Sequence, residues 1–360
     1  MLHSIRTRLV PFLFVAVVCL LFSSCRKDSD EPASATPETC RISVIFPPNA
    51  LGDNDVNDRI YAGIFRIKEY YSGTTPLVIE IVNPDNEENA TDFMRQWFEN
   101  TATSGRRLLV VVGEQYASQL ERNVDWSPRS GSDVLLLESN KKIKGIYTHY
   151  ISLYGLCHYI GQRVYSDFSF YVALINANKV DFPQLEVTKG FCDGFDLLNT
   201  EDIGERVQFY LADSAGMGYD SPEDVFKLCY DNWDNDFNFV LPSCGGSAQG
   251  VYRYLRTDVS GYSDYSIFTC GIGSDMSLYA EGVLYSIIKR YDLYVEQFVY
   301  EWVKGAKMPS FLLLGMATEY VEFLDNDMYG HSLDDEGLKE LWATALAAEK
   351  EHFKEMQEAN

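Results

Sequence analysis

The chain has 360 residues, of which 46% are hydrophobic and 23% charged, so it can bury a large core and form two domains of ordinary size. Its 53 acidic residues outnumber its 30 basic ones, which gives a formal net charge of −23. This balance argues against nucleic acid as a partner and against polybasic docking on anionic lipid, because both need a basic patch.

Residues 1–24 are predicted to form a signal peptide. Arg6 and Arg8 precede an apolar run over 9–22 that is too short to span a bilayer. The ending Phe-Ser-Ser-Cys resembles a bacterial lipobox, which implies that Cys25 is lipidated and becomes the new N-terminus. We therefore expect a protein of the bacterial cell envelope, periplasmic or surface-exposed, with its lipid in a membrane. The alternative is a plain secretory signal with an incidental cysteine.

Residues 25–40 are predicted to be the lipidated cysteine and a flexible tether, because 26–39 contain no large apolar side chain. Six cysteines follow Cys25, and this even number permits up to three disulfides. The alternative is that they are free, buried thiols. The absence of a C-x-x-C pair weakens a redox or zinc interpretation. These cysteines are Cys40, Cys157, Cys192, Cys229, Cys244 and Cys270.

Short apolar runs alternate with helical stretches along the rest of the chain. Near-continuous apolar strands separated by helices are typical of parallel sheets covered on both faces. The strands are too many for one open sheet, so we expect two α/β lobes with a ligand cleft at the carboxyl ends of their strands. The predicted strands are 41–46, 77–82, 106–112, 133–138, 170–175, 206–212, 237–242, 266–272 and 310–315.

Two stretches have the periodicity of packing helices. Over 279–304, apolar residues recur at spacings of four and three, from Leu284 to Trp302, which predicts a single helix. At the C-terminus Ser332 precedes Asp335 in a capping arrangement. The apolar face that follows is Leu338, Leu341, Ala345, Ala348 and Phe353.

Polar loops follow several of the predicted strands. Residues 52–58 place carboxylates and an amide after the first strand, and 244–247 place two glycines where a ligand can approach backbone N–H groups. Residues 273–275 end in a carboxylate, and Lys289 is a single charge in an apolar stretch. Each feature has an ordinary structural explanation when taken alone, as a cap, a turn or an ion pair.

The order of these features resembles the basic membrane lipoprotein family, the purine nucleoside receptor-like binding lipoproteins of ABC importers. Residues 44–63 are similar to its opening segment at Asp53, Asn57 and Gly63. The resemblance covers roughly residues 41–355. Its other segments here are KGFCDGF (189–195), GYDSP (218–222), CGGSAQG (244–250), GIGSD (271–275) and SIIKRYD (286–292).

The resemblance implies a two-lobe type I periplasmic-binding-protein fold, in which each lobe is a parallel sheet flanked by helices. By analogy, the N-terminal lobe comprises residues 41–148 plus about 276–308. The C-terminal lobe comprises about 149–275 plus 309–360. The chain then crosses between lobes after 145–148, near 275 and near 308, and hinge closure on a ligand is the expected motion.

The resemblance also implies a nucleoside site and an ABC transporter permease as a partner. Asp53 and Asn57 match residues that hydrogen-bond the nucleobase. Asp275 and Lys289 match the pair that holds the ribose hydroxyls. No catalytic residue, metal or cofactor is implied.

The resemblance is weaker at the ring-stacking positions. Gly245 and Gly246 match the backbone beside the sugar, and Tyr219 matches one of two rings that sandwich the base. The other ring position falls on Val56. Either Tyr116, which follows the strand at 106–112, substitutes for it, or the ligand is not a purine nucleoside.

Three alternatives remain open. A hydrolase could use Asp53, Asp55 and Asp275, because paired carboxylates can carry acid–base chemistry. A surface or sensory lipoprotein could bind another ligand, such as a sugar, or keep an inactive cleft. A calcium loop over 325–336 has partial EF-hand spacing, with non-ligating side chains at two of its positions.

Overall fold

The fold is described from a computed structural model of the chain. The structure describes residues 39–48, 50–71, 77–100, 105–122, 131–168, 171–198, 205–231, 237–257, 267–326 and 333–359. The predicted signal peptide, Cys25, most of the tether and the centre of the predicted calcium loop lie outside the described residues. Within the described residues, no helix has the length and apolar character needed to cross a membrane.

The described strands form two six-stranded sheets. The first sheet is parallel throughout, with the order β11-β5-β4-β3-β1-β2. Its strands are β1 (Cys40–Ile45), β2 (Leu77–Val82), β3 (Arg106–Val112), β4 (Ser132–Leu137), β5 (Tyr147–Ile151) and β11 (Phe311–Leu314).

The second sheet repeats this pattern, with the order β12-β10-β9-β8-β6-β7. All its pairs are parallel except β12 against β10. Its strands are β6 (Tyr171–Asn178), β7 (Glu205–Ala212), β8 (Phe239–Ser243), β9 (Phe268–Ile272), β10 (Val283–Lys289) and β12 (Val321–Asp325).

Burial along the strands follows their position in the sheet. Every residue of β10 is buried, as expected for an inner strand covered on both faces. The edge strand β2 instead alternates, with Val78 exposed and Ile79 partly buried. In the first sheet Val44 of β1 pairs with Ile81 and Val110, which sets the register of its central strands.

Helices cover both faces of each sheet. Helices α1 and α8 close one core of the first lobe, and α2 and α3 close the other. In the second lobe α4, α5 and α9 cover one face, and α6 and α7 cover the other. The helices are α1 (Val56–Tyr71), α2 (Glu87–Glu99), α3 (Ala117–Arg122), α4 (Tyr154–Phe168), α5 (Phe182–Leu198), α6 (Pro222–Asp231), α7 (Gln249–Leu255), α8 (Tyr291–Val303) and α9 (Asp335–Ala359).

The prediction of one helix over 279–304 was wrong. The stretch contains the strand β10 followed by the helix α8, with Arg290 between them. A continuous buried strand also places apolar residues at spacings of three and four, so the pattern alone does not separate the two states. Two further strands, β5 and β12, extend the predicted set.

The predicted lobe boundaries also need correction, because β10 pairs with β9 in the second sheet and β11 pairs with β5 in the first. The described residues within 40–151 and 291–314 therefore belong to the first lobe, and those within 154–289 and 321–359 belong to the second. The chain crosses between the lobes at 152–153, at Arg290 and within 315–320. The crossings expected near 275 and 308 lie later in the chain, at Arg290 and within 315–320.

The C-terminal helix packs against two of these crossings through polar side chains. Glu349 accepts hydrogen bonds from the backbone N–H of Met316 at 3.0 and 3.2 Å, and burial raises its pKa to about 7. His352 lies 3.0 Å from Glu186, which also accepts from the Ser152 hydroxyl at 2.8 Å. Of the predicted apolar face of this helix, Ala345 is buried and Leu341 packs against the same core, but the prediction omits the buried polar residues Glu349 and His352.

Cys157, Cys192, Cys229, Cys244 and Cys270 are free within the described part of the chain, so the structure does not form the three disulfides that the sequence permits. Five of the six cysteines after Cys25 are buried in the helix–sheet cores. Burial raises the pKa of Cys192 to about 11 and that of Cys229 to about 12, so both thiols are protonated at neutral pH.

Candidate functional site

A cavity of about 750 Å³ lies between the two lobes, where the carboxyl ends of both sheets meet. Its walls come from the loops after β1 and β3 in the first lobe and after β6 and β8 in the second. In each sheet these two strands are where the strand order changes direction. Such switch points are the general ligand sites of parallel α/β folds.

The loop after β1 enters the cavity and starts helix α1. Asp53 accepts backbone N–H bonds from Asp55, Asn57 and Asp58, at 2.9, 3.2 and 3.3 Å, which satisfies donors at the helix start. The Asn57 amide also donates to Asp53 at 2.6 Å. Asp53 is thus occupied by its own loop, whereas Asn57 Oδ1 is buried without a hydrogen-bond partner among the described residues.

Asp55 lies where this loop meets the second lobe. A methyl group placed on Gly273 would come within 2.3 Å of the Asp55 Oδ1 atom, so glycine is required for the contact. Burial, reinforced by the nearby charge of Asp53, raises the pKa of Asp55 to about 7. Two further bonds join the lobes here: Asn54 Nδ2 donates to Ser274 Oγ at 3.0 Å, and Arg59 Nε donates to the Gly273 carbonyl at 2.8 Å.

Lys289 ends β10 and reaches across the cavity to Glu138, which directly follows β4. Its Nζ atom lies 2.8 Å from both carboxylate oxygens and 4.6 Å from the ring centroid of Tyr150. Glu138 has a φ of +56°, in the left-handed region that non-glycine residues rarely adopt. Backbone strain of this kind concentrates at functional sites.

Tyr219, Gly245 and Gly246 lie together in the cavity wall of the second lobe. The Tyr219 hydroxyl donates to Asp181 at 3.0 Å. A methyl group on Gly245 would come within 2.9 Å of the Tyr219 ring, so this glycine makes room for the ring as well as for a ligand. Tyr219 is the one aromatic side chain among the described cavity-lining residues.

Two predicted site residues lie elsewhere. Tyr116 is completely buried in the core beneath α2 and α3, where its hydroxyl donates to the Phe46 carbonyl at 3.1 Å. It cannot stack on a ligand from that position. Asp275 is absent from the cavity wall, and its carboxylate accepts from the N–H and hydroxyl of Ser277, at 3.1 and 2.6 Å, as the cap of a short helical turn.

Sequence reasoning missed several polar groups in the cavity wall. Glu114 follows β3, Glu138 follows β4 and Asp181 follows β6, so each lies at the carboxyl end of a strand. Gln184, in the first turn of α5, is 5% exposed and donates to the Asn178 carbonyl. The rule that ligands bind at strand ends could have identified the three carboxylates.

The described residues contain no cluster of three His, Cys, Asp or Glu side chains suited to hold a metal ion. Of the carboxylates proposed for a hydrolase, Asp53 and Asp55 line the cavity and Asp275 does not. The proposed set is therefore not assembled around one cavity.

The sequence matches no protein-family model and no curated protein. Solved structures do show the fold. An ABC transporter solute-binding protein from Aeropyrum pernix K1 superposes with a TM-score of 0.64 at 15% identity, covering 89% of this chain and 90% of that one. A solute-binding protein from Burkholderia graminis C4D1M, in complex with D-arabinose, gives 0.61 at 11% identity, covering 82% and 99%.

A transcription regulator also has this fold. CcpA of Lactococcus lactis superposes with a TM-score of 0.58 at 17% identity, covering 80% of this chain and 98% of that one. The chain thus has the two-lobe type I periplasmic-binding-protein fold. At these identities the likeness establishes the fold, and function must come from the site.

Proposed function

We propose that this protein is a solute-binding protein that captures a small polyhydroxylated molecule between its lobes for an ABC-type importer. The observation that carries this proposal is the cavity of about 750 Å³ at the switch points of both sheets. Its volume suits a nucleoside or a small sugar, because ligand sites of this kind range over roughly 300–1,000 Å³. Its carboxylate and amide groups accept hydrogen bonds from hydroxyls.

A nucleoside is the ligand that the resemblance to the basic membrane lipoprotein family indicates, and membership of that family is part of this proposal. The presence of Asn57, Tyr219 and Lys289 in the cavity wall supports it. A sugar is the second candidate. The observation in its favour is that Tyr219 has no second ring opposite it among the described lining residues, so a flat base cannot be sandwiched there.

We further propose that Cys25 carries the lipid that anchors the protein to a bacterial membrane, with an ABC permease as its protein partner. We propose no catalytic role and no cofactor. The strong negative charge of the chain supports the exclusion of nucleic acid as a ligand.

A thermal-shift screen of the purified chain against nucleosides, nucleobases, sugars and amino acids tests the proposal. A ligand present at a hundred times its dissociation constant adds about 2.7 kcal/mol to the free energy of unfolding, which raises the melting temperature visibly. A shift with nucleosides supports the family's ligand, and a shift with sugars alone supports the second candidate. The absence of a shift with every compound would contradict a solute-binding role.

A further inference from the structure

The described wall of the cavity is strongly acidic. Lys289 is its one basic side chain, and its charge is already matched by the two bonds to Glu138. No other basic side chain lies in the described wall to pair with the remaining carboxylates. The acidic lining residues are Asp53, Asp55, Glu87, Glu114, Glu138, Asp181 and Asp220.

Two of these carboxylates line the cavity from opposite lobes. Glu114 belongs to the loop after β3, and Asp181 belongs to the loop after β6. Burial raises the pKa of Glu114, and the hydrogen bond from Ser139 and the charge of Lys141 offset this in part, while the negative charge of Asp181 adds a smaller upward contribution. The two carboxylates thus carry like charges on opposite sides of the cavity, and a positive charge between them would relieve their repulsion.

Partnerless hydrogen-bond acceptors provide a second and independent observation. Glu114 Oε2, Gln184 Oε1 and Asn57 Oδ1 are all buried, and none has a partner within the described part of the chain. All three residues line the cavity, and Gln184 is only 5% exposed. A buried acceptor without a donor is costly, so the bound ligand is expected to supply several donors.

We infer that the ligand of this cavity carries a protonated amine in addition to its hydroxyl groups. This inference rests on the proposed solute-binding function and specifies the ligand further. An ammonium group supplies a positive charge that faces Glu114 and Asp181, and it supplies hydrogen-bond donors for Glu114 Oε2 and Gln184 Oε1. An anionic group, such as a phosphate ester, would face the same carboxylates and is excluded.

Matched pairs of compounds test the inference by calorimetric titration of the purified chain at pH 7. The pairs are D-glucose with D-glucosamine, D-galactose with D-galactosamine, and adenosine with 5′-amino-5′-deoxyadenosine. We expect the amine of at least one pair to bind about tenfold more tightly than its neutral partner, the size of one charge-assisted hydrogen bond. Adenosine 5′-monophosphate should not bind.

Substitution of Glu114 tests whether the amine is bound by a specific contact or is attracted only by the net negative charge of the chain. Glu114→Gln should reduce the preference for the amine, measured as the ratio of the two affinities, to within about threefold. Glu121→Gln is the matched control, because Glu121 is exposed on the same lobe outside the cavity wall. It removes the same charge and should keep the full preference.

The outcomes distinguish this inference from the function on which it rests. If the neutral member of each pair bound as tightly as the amine, the inference would be wrong and the solute-binding function would stand. If no compound of either kind bound, the proposed function itself would fail. The comparison within the wild-type protein decides the matter even if Glu114→Gln does not fold.

Discussion

The Lys289 ammonium group of the second lobe lies 2.8 Å from both carboxylate oxygens of Glu138 in the first lobe. The pair is largely buried, with side-chain exposures of 5% and 12%. It joins the carboxyl ends of β10 and β4, and therefore the two lobes, across the cavity.

Removal of one partner of this pair should be costly. Lys289→Met leaves the Glu138 carboxylate buried without its cation, and we expect the free energy of unfolding to fall by about 3–5 kcal/mol. Equilibrium urea unfolding measures this loss. The double variant Lys289→Met/Glu138→Leu should recover most of it, because no charge is then left buried. A double variant as unstable as the single one would show that Lys289 acts through packing.

Stability should decrease as the pH rises towards neutrality. The carboxyl of Asp55 has its pKa raised from 3.8 to about 7, so between these values the folded state holds a proton that the unfolded state has lost. This contribution to stability is complete below pH 3.8 and is lost as the pH rises through about 7.

Chemical denaturation at intervals from pH 5 to 8 checks this pH dependence. Asp55→Asn should have a flatter profile than the wild type, because its amide does not titrate. Glu349→Gln is a second test of the same kind, since burial also raises the pKa of Glu349 to about 7. Profiles as steep as that of the wild type in both variants would refute the assignment.

The contact of Asp55 with Gly273 should limit lobe closure when Gly273 is enlarged. Gly273 has a φ of +92°, and an added methyl group would clash with Asp55 at 2.3 Å. Gly273→Ala should therefore hold the lobes apart and weaken ligand binding at least about tenfold, if relief of the clash costs about 1.4 kcal/mol. Small-angle X-ray scattering should show an increased radius of gyration.

Gly305→Ala is the matched control for this substitution. Gly305 also has a positive φ, of +78°, but an added methyl group there meets no atom nearer than 3.8 Å. We expect it to lose about 1 kcal/mol of stability from backbone strain and to close normally. Equal effects of the two variants on ligand affinity would exclude the clash as the cause.

Tyr219 and Tyr116 should respond differently to loss of the hydroxyl group. Tyr116→Phe removes a buried bond to the Phe46 carbonyl and should cost about 1 kcal/mol of stability without changing ligand affinity. Tyr219→Phe removes one of the bonds that the Asp181 carboxylate accepts in the cavity wall. Calorimetry should then show altered ligand affinity for Tyr219→Phe alone, and an effect of Tyr116→Phe would place its ring near the ligand after all.

The sequence predicted the fold well because apolar runs, and the turn residues that separate them, are local features of the chain. All nine predicted strands are present, with bounds that differ by a few residues at most. The error at 279–304 arose because Leu284 and Ile288 in β10 and Tyr291 in α8 happen to continue one helical spacing. The pairing of β10 with β9 is a tertiary contact, and nothing local in the sequence reports it.

The candidate site was only partly predictable. Lys289 and Asn57 line the cavity because Lys289 is the last residue of β10 and Asn57 lies in the first turn of α1, and these two ends meet there. Tyr116 also follows a strand, yet its ring turns into the core, and Asp275 turns back onto Ser277. Side-chain direction at a strand end depends on the packing of the next helix, which sequence spacing does not specify.

The central claim is that the cavity between the lobes holds the ligand, and calorimetric titration of nucleosides and sugars tests it most directly. For the compound that binds, we predict one site per chain in the wild type and in Asp275→Ala. We predict binding at least about tenfold weaker in Tyr219→Ala, which loses the ring in the cavity wall. Binding that survives Tyr219→Ala but disappears in Asp275→Ala would contradict this account.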